Sequence, residues 1–177
     1  MTIRPYAPED RDRVLKIFRD FNRTLAKPGE EARFEDYIEH SIAEEMGRIP
    51  DFYQSRDGTG FWVAVKDGVV VGNAGIEPAH PSEGLGAAEL RRMYVDAAYR
   101  RQGIGNRLLD HIESFCIDAG YTRLVLSTSE LQGAAKATYE ARGYIQVREE
   151  VAQERSHKTV GGGVRRFHYE KALTGAD

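Results

Sequence analysis

The sequence predicts an α+β fold in which helices flank a mixed, mostly antiparallel β-sheet. Residues 61–65 and 69–76 have the apolar pattern of strands, and Asp67-Gly68 between them is a hairpin turn signal. Residues 88–127 predict instead a strand, a helix and a strand, an order that makes the two strands parallel. A parallel pair inside an otherwise antiparallel sheet is therefore expected.

A single domain over residues 1–177 is expected, because a chain of this length can bury a sizeable core without disulfides. The hydrophobic fraction of 41% and the charged fraction of 30% are ordinary for a soluble globular protein. The formal net charge of −3 argues against general nucleic-acid binding, so no nucleic-acid partner is expected.

The cytoplasm is the expected location of the protein. Cys116 is the only cysteine, which excludes an intrachain disulfide and favours a reducing compartment. The N-terminus has no apolar signal core, and no apolar run approaches the ~20 residues that a membrane span needs. We therefore expect no membrane partner either.

The N-terminal part of the chain predicts a short strand and two helices. Residues 2–4 suit the strand, and residues 8–10 (Pro-Glu-Asp) open a helix with residue types that helix starts favour. Residues 27–29 (Lys-Pro-Gly) end this helix. A second helix is expected from about residue 34 to residue 46, and Ile49-Pro50 is expected to end it.

The C-terminal part predicts two more helices and a closing hairpin. Helices are expected over residues 105–119 and 132–142, each followed by a glycine. Residues 123–127 suit a buried strand between them. Residues 144–147 and 164–169 suit the two strands of a hairpin around a polar, glycine-rich loop.

A basic, glycine-rich turn lies between the strand that ends at Val95 and the next helix. Residues 100–105, Arg-Arg-Gln-Gly-Ile-Gly, can direct backbone amides and the positive end of the helix dipole at a phosphate. The spacing is not Gly-x-Gly-x-x-Gly, because Leu108 stands where the third glycine belongs, and it is not a P-loop. The turn predicts an anion site, with a basic loop that only caps the helix as the alternative.

This turn resembles the pyrophosphate-binding loop of the GNAT superfamily, the Gcn5-related N-acetyltransferases, whose pattern is Gln/Arg-x-x-Gly-x-Gly/Ala. Residues 139–144, Tyr-Glu-Ala-Arg-Gly-Tyr, resemble the end of the family's next block. The resemblance is strongest over residues 88–147 and weaker over residues 2–71. It implies a GNAT-like sheet with a splayed parallel strand pair, and acetyl-CoA as the acyl-donor co-substrate. The five histidines lack metal-ligand spacing, so no metal is expected.

In the GNAT fold the pantetheine arm of acetyl-CoA lies between the splayed strands, and the turn binds the pyrophosphate. Many members have an asparagine seven residues before the tyrosine. This chain has Gln132 there, and glutamine donates and accepts similarly. Carried over by position, the resemblance implies cofactor contacts at Met93, Tyr94, Val95, Arg100, Arg101, Gln102, Gly103, Ile104, Gly105, Asn106 and Gln132.

The resemblance also implies an N-acetyltransferase with two catalytic residues. Tyr139 matches the family's tyrosine, which faces the CoA sulfur and acts as general acid; an aromatic core residue is the alternative. Glu89 is the expected general base, unless it is a strand carboxylate paired with Arg91 on the same face. Glu77 and a water chain stay open as the base. Arg91 and Arg92 are expected to face solvent or an acidic acceptor.

The acceptor amine is left open between a small molecule and an amine of a peptide or protein. Residues 18–55 and 152–166 are expected to shape its site, with the basic loop 155–163 at the border. A homodimer stays open, because family members often pair through sheet edges. A CoA-binding sensor or regulatory module without catalysis and a site for another phosphorylated ligand, such as a nucleotide, are the alternative functions. Residues expected to line an aromatic cleft are Phe18, Phe21, Phe34, Tyr37, Phe52 and Tyr53.

Overall fold

One mixed sheet forms the centre of the molecule in the computed structural model, which describes residues 1–173. Its seven strands are β1 (Thr2–Pro5), β2 (Gly60–Lys66), β3 (Val69–Pro78), β4 (Ala87–Val95), β5 (Arg123–Ser129), β6 (Ile145–Ala152) and β7 (Val164–Ala172). They lie in the order β1-β2-β3-β4-β5-β7-β6, and every neighbouring pair in this part of the chain is antiparallel except β4 and β5. The predicted α+β fold is confirmed.

Helices cover both faces of the sheet. Because side chains alternate across a strand, Phe61 and Val63 pack with the first three helices, whereas Trp62 and Ala64 pack with the last two. Within residues 1–173, none of the helices has both the length and the apolar character that a bilayer crossing demands. The helices are α1 (Arg11–Arg23), α2 (Glu31–Glu44), α3 (Ile49–Tyr53), α4 (Ile104–Asp118) and α5 (Gly133–Ala141).

The prediction that Ile49-Pro50 ends the second helix is wrong. Helix α2 begins earlier than expected and ends at Glu44, and Ile49 and Pro50 instead form the first turn of α3. Proline is well suited to this position, because the first N–H groups of a helix have no intrahelical acceptor and its φ is already helical. The side chains of Ile49 and Tyr53 are buried, so α3 is fixed by packing against the sheet.

The parallel strands β4 and β5 separate after a short region of pairing. Ala87 to Leu90 pair with Arg123 to Leu126, and no pairing between the two strands continues beyond Leu90. Arg92 forms a bulge in β4 with a φ of 53°, and the Nδ2 group of Asn73 donates to its carbonyl oxygen at 2.6 Å. The bulge bends β4 away from β5. The splay expected from the family resemblance is therefore present.

Candidate active site

The gap between β4 and β5 opens into a cavity of about 590 Å3. Glu89 and Ser127 line it from the face of the sheet that carries α1 and α2, whereas Tyr139 approaches from the face that carries α4 and α5. The cavity therefore passes through the sheet. Of the predicted site residues, all except Gln102 line it: Glu89, Met93, Tyr94, Val95, Arg100, Arg101, Gly103, Ile104, Gly105, Asn106, Gln132 and Tyr139.

The turn before α4 presents a row of backbone donors to this cavity. Gly103 caps the helix with a φ of 76°, and Arg101 also has a positive φ, of 61°. The N–H groups of residues 101–106 meet no acceptor within the described residues 1–173, so they and the helix dipole can bind an anion. The side chain of Gln102 points away, because its Oε1 accepts a hydrogen bond from Lys66 Nζ at 2.7 Å.

Residues 93–95, in the separated part of β4, line the cavity. The Tyr94 ring packs against Phe18 and Phe21 at centroid separations of 5.6 and 4.9 Å, and burial raises the pKa of Tyr94 to about 12. Met93 and Val95 line the cavity on either side. Residues 93–95 lie beyond the segment of β4 that pairs with β5, so within residues 1–173 no strand pairs with the side of their backbone that faces β5.

Tyr139 is buried in the core and also lines the cavity. Its ring packs against Tyr144 and Tyr169 at centroid separations of 5.7 and 6.4 Å, and its hydroxyl lies 4.0 Å from the Sδ atom of Met93. Burial, and next the neighbouring Tyr94, raise the pKa of Tyr139. The hydroxyl therefore stays protonated at neutral pH and can donate a proton into the cavity.

Glu89 is paired with a lysine that the sequence did not single out. Lys158 Nζ lies 3.1 and 2.8 Å from the two carboxylate oxygens of Glu89 and lines the same cavity. The partner considered from the sequence, Arg91, instead binds Glu77 and Glu45. Glu77 is therefore engaged elsewhere and does not line the cavity, whereas Glu89 does.

A buried ion cluster lies behind β4, and the solvent-facing role expected for its two arginines is wrong. Arg91 Nη2 lies 2.6 Å from Glu45 Oε2, and Arg92 donates to both oxygens of Glu45 at 2.9 and 2.6 Å. Tyr53 also donates to Glu45. Burial alone would raise the pKa of Glu45, but Arg92 and Arg91 lower it to about 2. These contacts join α2 and α3 to the bulge of β4.

The aromatic cleft expected from the sequence is largely core. Of the predicted aromatic residues, Phe21 and Tyr37 line the cavity, while Phe18, Phe34 and Tyr53 are buried and Phe52 packs against them. The spacing of aromatic residues on a helix does not distinguish a face that packs in the core from a face that lines a cleft, because large apolar side chains are favoured on both.

The basic loop between β6 and β7 borders the cavity. His157 precedes Lys158, and the carbonyl oxygen of His157 accepts a hydrogen bond from Arg92. Farther along, Arg33 Nη1 donates to the carbonyl oxygen of Gly161 at 3.0 Å. These bonds tie the loop to α2 and to β4, and they hold Lys158 against Glu89.

Arg166 of β7 is a second cavity residue that the sequence did not single out. Its Nη2 donates to Ser127 Oγ, and its Nη1 lies 3.3 Å from Glu150 Oε1. Arg166 lies in a predicted hairpin strand, and no motif in that strand indicated a ligand contact. Among residues 1–173 no cluster of three or more histidine, cysteine or acidic side chains is placed to hold a metal ion.

Comparison with known proteins gives a consistent result. Residues 14–144 match a family profile that is described as "Acetyltransferase (GNAT) family". An acetyltransferase of the GNAT family from Staphylococcus aureus Mu50 has a similar structure, with a TM-score of 0.72 and 16% sequence identity over 98% of this chain and 99% of that chain. At that identity the likeness shows the fold alone.

Curated relatives are similar over somewhat less than two thirds of the chain. N-acetyltransferase 8 from Homo sapiens is 33% identical over 110 residues, which are 62% of this chain and 48% of that protein. N-acetylaspartate synthetase from Xenopus tropicalis is 36% identical over 112 residues, which are 63% of this chain and 40% of that protein. The chain thus spans about half the length, or less, of the curated relatives it matches.

Proposed function

Because the chain belongs to the acetyltransferase (GNAT) family, we propose that it moves an acetyl group from acetyl-CoA to a primary amine by direct attack. One observation supports this most strongly. Glu89 and Tyr139 reach a single cavity from opposite faces of the sheet, and the amide-rich turn of residues 100–105 lies at its end. The arrangement suits a donor and an acceptor that meet inside the sheet.

The donor side has the groups that acetyl-CoA needs. The N–H groups of residues 101–106 are suited to the pyrophosphate, and the free edge of residues 93–95 is suited to the pantetheine arm. Gly105 lets the start of α4 lie close to Met93, because a Cβ at this position would lie only 3.3 Å from Met93 Cε. Because the folded turn already orients these N–H groups, they lose little conformational entropy when they bind the pyrophosphate.

The acceptor side supplies proton transfer. Glu89 accepts a proton from the acceptor ammonium, and the neutral amine then attacks the thioester carbonyl. A C–N bond forms, the C–S bond breaks, and Tyr139 gives its proton to the leaving thiolate. The second proton of the nitrogen returns through water to Tyr139. Lys158 must leave Glu89 first, because it contacts both carboxylate oxygens.

The role of Tyr139 is tested by Tyr139→Phe, with Tyr144→Phe as a matched control. Both variants remove a buried hydroxyl from one aromatic cluster, but Tyr144 bonds Glu113 outside the cavity. Loss of a general acid lowers kcat by roughly 10²–10⁴-fold, while the Kd for acetyl-CoA changes little. CoA release is measured with the most active amine of a panel of amino acids, polyamines and peptides. Equal kcat values in the two variants, with chemistry rate-limiting, would overturn the assignment.

The base is tested by the pH dependence of the rate. We expect Glu89→Gln to abolish the acidic limb of the profile of kcat/KM, because the residue that accepts the proton is gone. Glu77→Gln is the matched control, since Glu77 is bound by Arg91 and does not line the cavity. A change in the Glu77 variant alone would move the base to that residue, and an unchanged profile in both would favour a water chain.

The alternative is a CoA-binding module without catalysis. Thermal unfolding with acetyl-CoA, and with ATP and NAD as controls, measures binding independently of turnover. A ligand at 100 times its Kd stabilises by roughly 2.7 kcal/mol, which raises the Tm of a domain of this size by roughly 5–11 °C. A rise with acetyl-CoA but no CoA release with any amine would support the binding module. A rise with ATP or NAD alone would favour a nucleotide site.

A further inference from the structure

Arg166 gives the acceptor side of the cavity a largely buried cation without a full counter-charge. Its side chain is 13% exposed. Its anionic partner, Glu150, is 38% exposed and also contacts His168 at 3.0 Å and Arg148 at 3.1 Å. Because three cationic or titratable groups share one carboxylate at the surface, the charge of Arg166 is only partly balanced. Burial accordingly lowers the pKa of Arg166.

The two buried arginines of β4 are different in this respect. Arg91 and Arg92 share Glu45, whose side chain is 1% exposed, and Arg91 also pairs with Glu77, so two carboxylates balance the two charges. The guanidinium of Arg166 makes hydrogen bonds to Ser127 Oγ and to Glu150. A guanidinium has five N–H donors in a fork that fits a carboxylate, so Arg166 has donors left for a ligand.

The position of Arg166 relative to Glu89 suits a small molecule with two charged groups. Glu89 lies opposite Val125 on β5, and Ser127, which Arg166 contacts, lies two residues farther along the same face. Strands are about 4.8 Å apart and rise about 3.3 Å per residue, which separates the backbones at Glu89 and Ser127 by roughly 8 Å. The side chains of Glu89 and Arg166 line the same cavity, so their charged groups can contact opposite charges of one small molecule.

Lys158 adds a second cation at the same place. It lines the cavity and also a smaller adjoining pocket of about 70 Å3, as do Arg166, Ser127 and Tyr37. When Lys158 leaves Glu89 to admit the acceptor amine, its ammonium is free to pair with another anion in the cavity. A zwitterionic acceptor satisfies both groups, since its amine replaces Lys158 at Glu89 and its carboxylate meets Lys158 and Arg166.

We propose that the acceptor is a small amine that carries a carboxylate, such as a free amino acid, and that Arg166 and Lys158 bind this carboxylate. The inference rests on the proposed function and names the substrate class of the same site. The name of the relative N-acetylaspartate synthetase denotes a product of this chemical class, and that name is consistent with the proposal. Arg166 is here a specificity-determining residue and not a catalytic one.

The first test compares acceptors that differ in charge. CoA release from acetyl-CoA is measured with L-alanine, L-aspartate and L-phenylalanine, and with L-alaninamide and L-phenylalaninamide, which keep the amine and lose the carboxylate. We expect kcat/KM to be at least about 10-fold higher for an amino acid than for its amide. Equal or better use of the amides would overturn the inference and leave the proposed function standing. Binding of acetyl-CoA with no amine used at all would instead overturn the proposed function.

The second test is the variant Arg166→Gln, with Arg165→Gln as its matched control. Arg165 is the neighbouring residue, but its side chain is exposed and pairs with Glu149 outside the cavity. We expect Arg166→Gln to raise the KM for the amino acid by roughly 10–100-fold, with the KM for acetyl-CoA unchanged, and Arg165→Gln to change neither. An equal KM in both variants would contradict the inference.

Inhibition of the unaltered protein keeps the proposal testable if Arg166→Gln does not fold. Succinate offers carboxylates without an amine, and succinamide is its uncharged counterpart. We expect succinate to compete with the acceptor amine and not with acetyl-CoA, while succinamide has no effect. No inhibition by succinate at concentrations above the KM of the amino acid, or equal inhibition by both, would overturn the carboxylate site.

Discussion

Replacement of Glu45 by glutamine is expected to destabilise the fold strongly. Glu45 is 1% exposed and contacts both Arg91 and Arg92, so the variant removes the carboxylate partner of Arg92 and leaves Arg91 with Glu77 alone. Its pKa falls from the ordinary 4.5 to about 2 in the folded chain. At about 1.4 kcal/mol per pH unit this shift corresponds to about 3 kcal/mol, and removal of one partner from a buried ion pair typically costs about 3–5 kcal/mol.

Thermal unfolding at neutral pH measures the effect. A loss of about 3–5 kcal/mol lowers the Tm of a domain of this size by roughly 6–20 °C. The matched control is Glu35→Gln, because Glu35 and Arg23 form an exposed ion pair, whose contribution is typically below about 1 kcal/mol. If Glu45→Gln unfolds within about 3 °C of Glu35→Gln, the cluster does not stabilise the fold as argued.

The pH dependence has a definite sign. Because folding lowers the pKa of Glu45, its charged form stabilises the protein above pH 4.5, and this contribution is lost as the pH falls toward 2. The difference in unfolding free energy between the unaltered protein and Glu45→Gln should therefore shrink over that interval. A difference that stays constant from neutral pH to pH 2 would show that Glu45 acts through packing alone.

Two further predictions concern the anion turn and the single cysteine. Gly103→Ala should cost roughly 1–2 kcal/mol of stability and weaken acetyl-CoA binding in calorimetry, because a φ of 76° strains a residue with a Cβ. The control Gly133→Ala adds a methyl group in open space at a residue without a positive φ, so it should change neither stability nor binding. Cys116 is fully buried and burial raises its pKa to about 12, so a thiol reagent such as DTNB should modify it only after unfolding in guanidinium; fast modification of the folded protein would contradict its core position.

The parts of the site that the sequence predicted are local in the chain. Residues 100–105 form a turn between β4 and α4. Tyr139 lies on the next helix, α5, and lines the same cavity. Periodicity and glycine spacing act over a few residues, so they were sufficient to predict the parallel strands, the turn and α4, whereas the splay of the strands was expected from the family resemblance. The match of residues 14–144 to the acetyltransferase family confirms the resemblance.

The parts that the sequence did not predict depend on distant contacts. Glu45 contacts arginines that are 46 and 47 residues away, and Lys158 reaches Glu89 across 69 residues. No local pattern specifies such partners, because they are set by the packing of α2 and of the β6–β7 loop against β4. The bulge at Arg92 is similar, since its φ of 53° falls on a residue other than glycine and is held by Asn73.

The most direct test of the account is a titration of the protein with acetyl-CoA followed by amide chemical shifts in NMR spectra. The proposed donor site predicts the largest shifts at the backbone amides of residues 101–106 and 93–95, where the turn and the separated edge of β4 meet the cavity. Absence of shifts at saturating acetyl-CoA, or shifts confined to residues outside this cavity, would contradict the claim that the splayed sheet is an acetyl-CoA site.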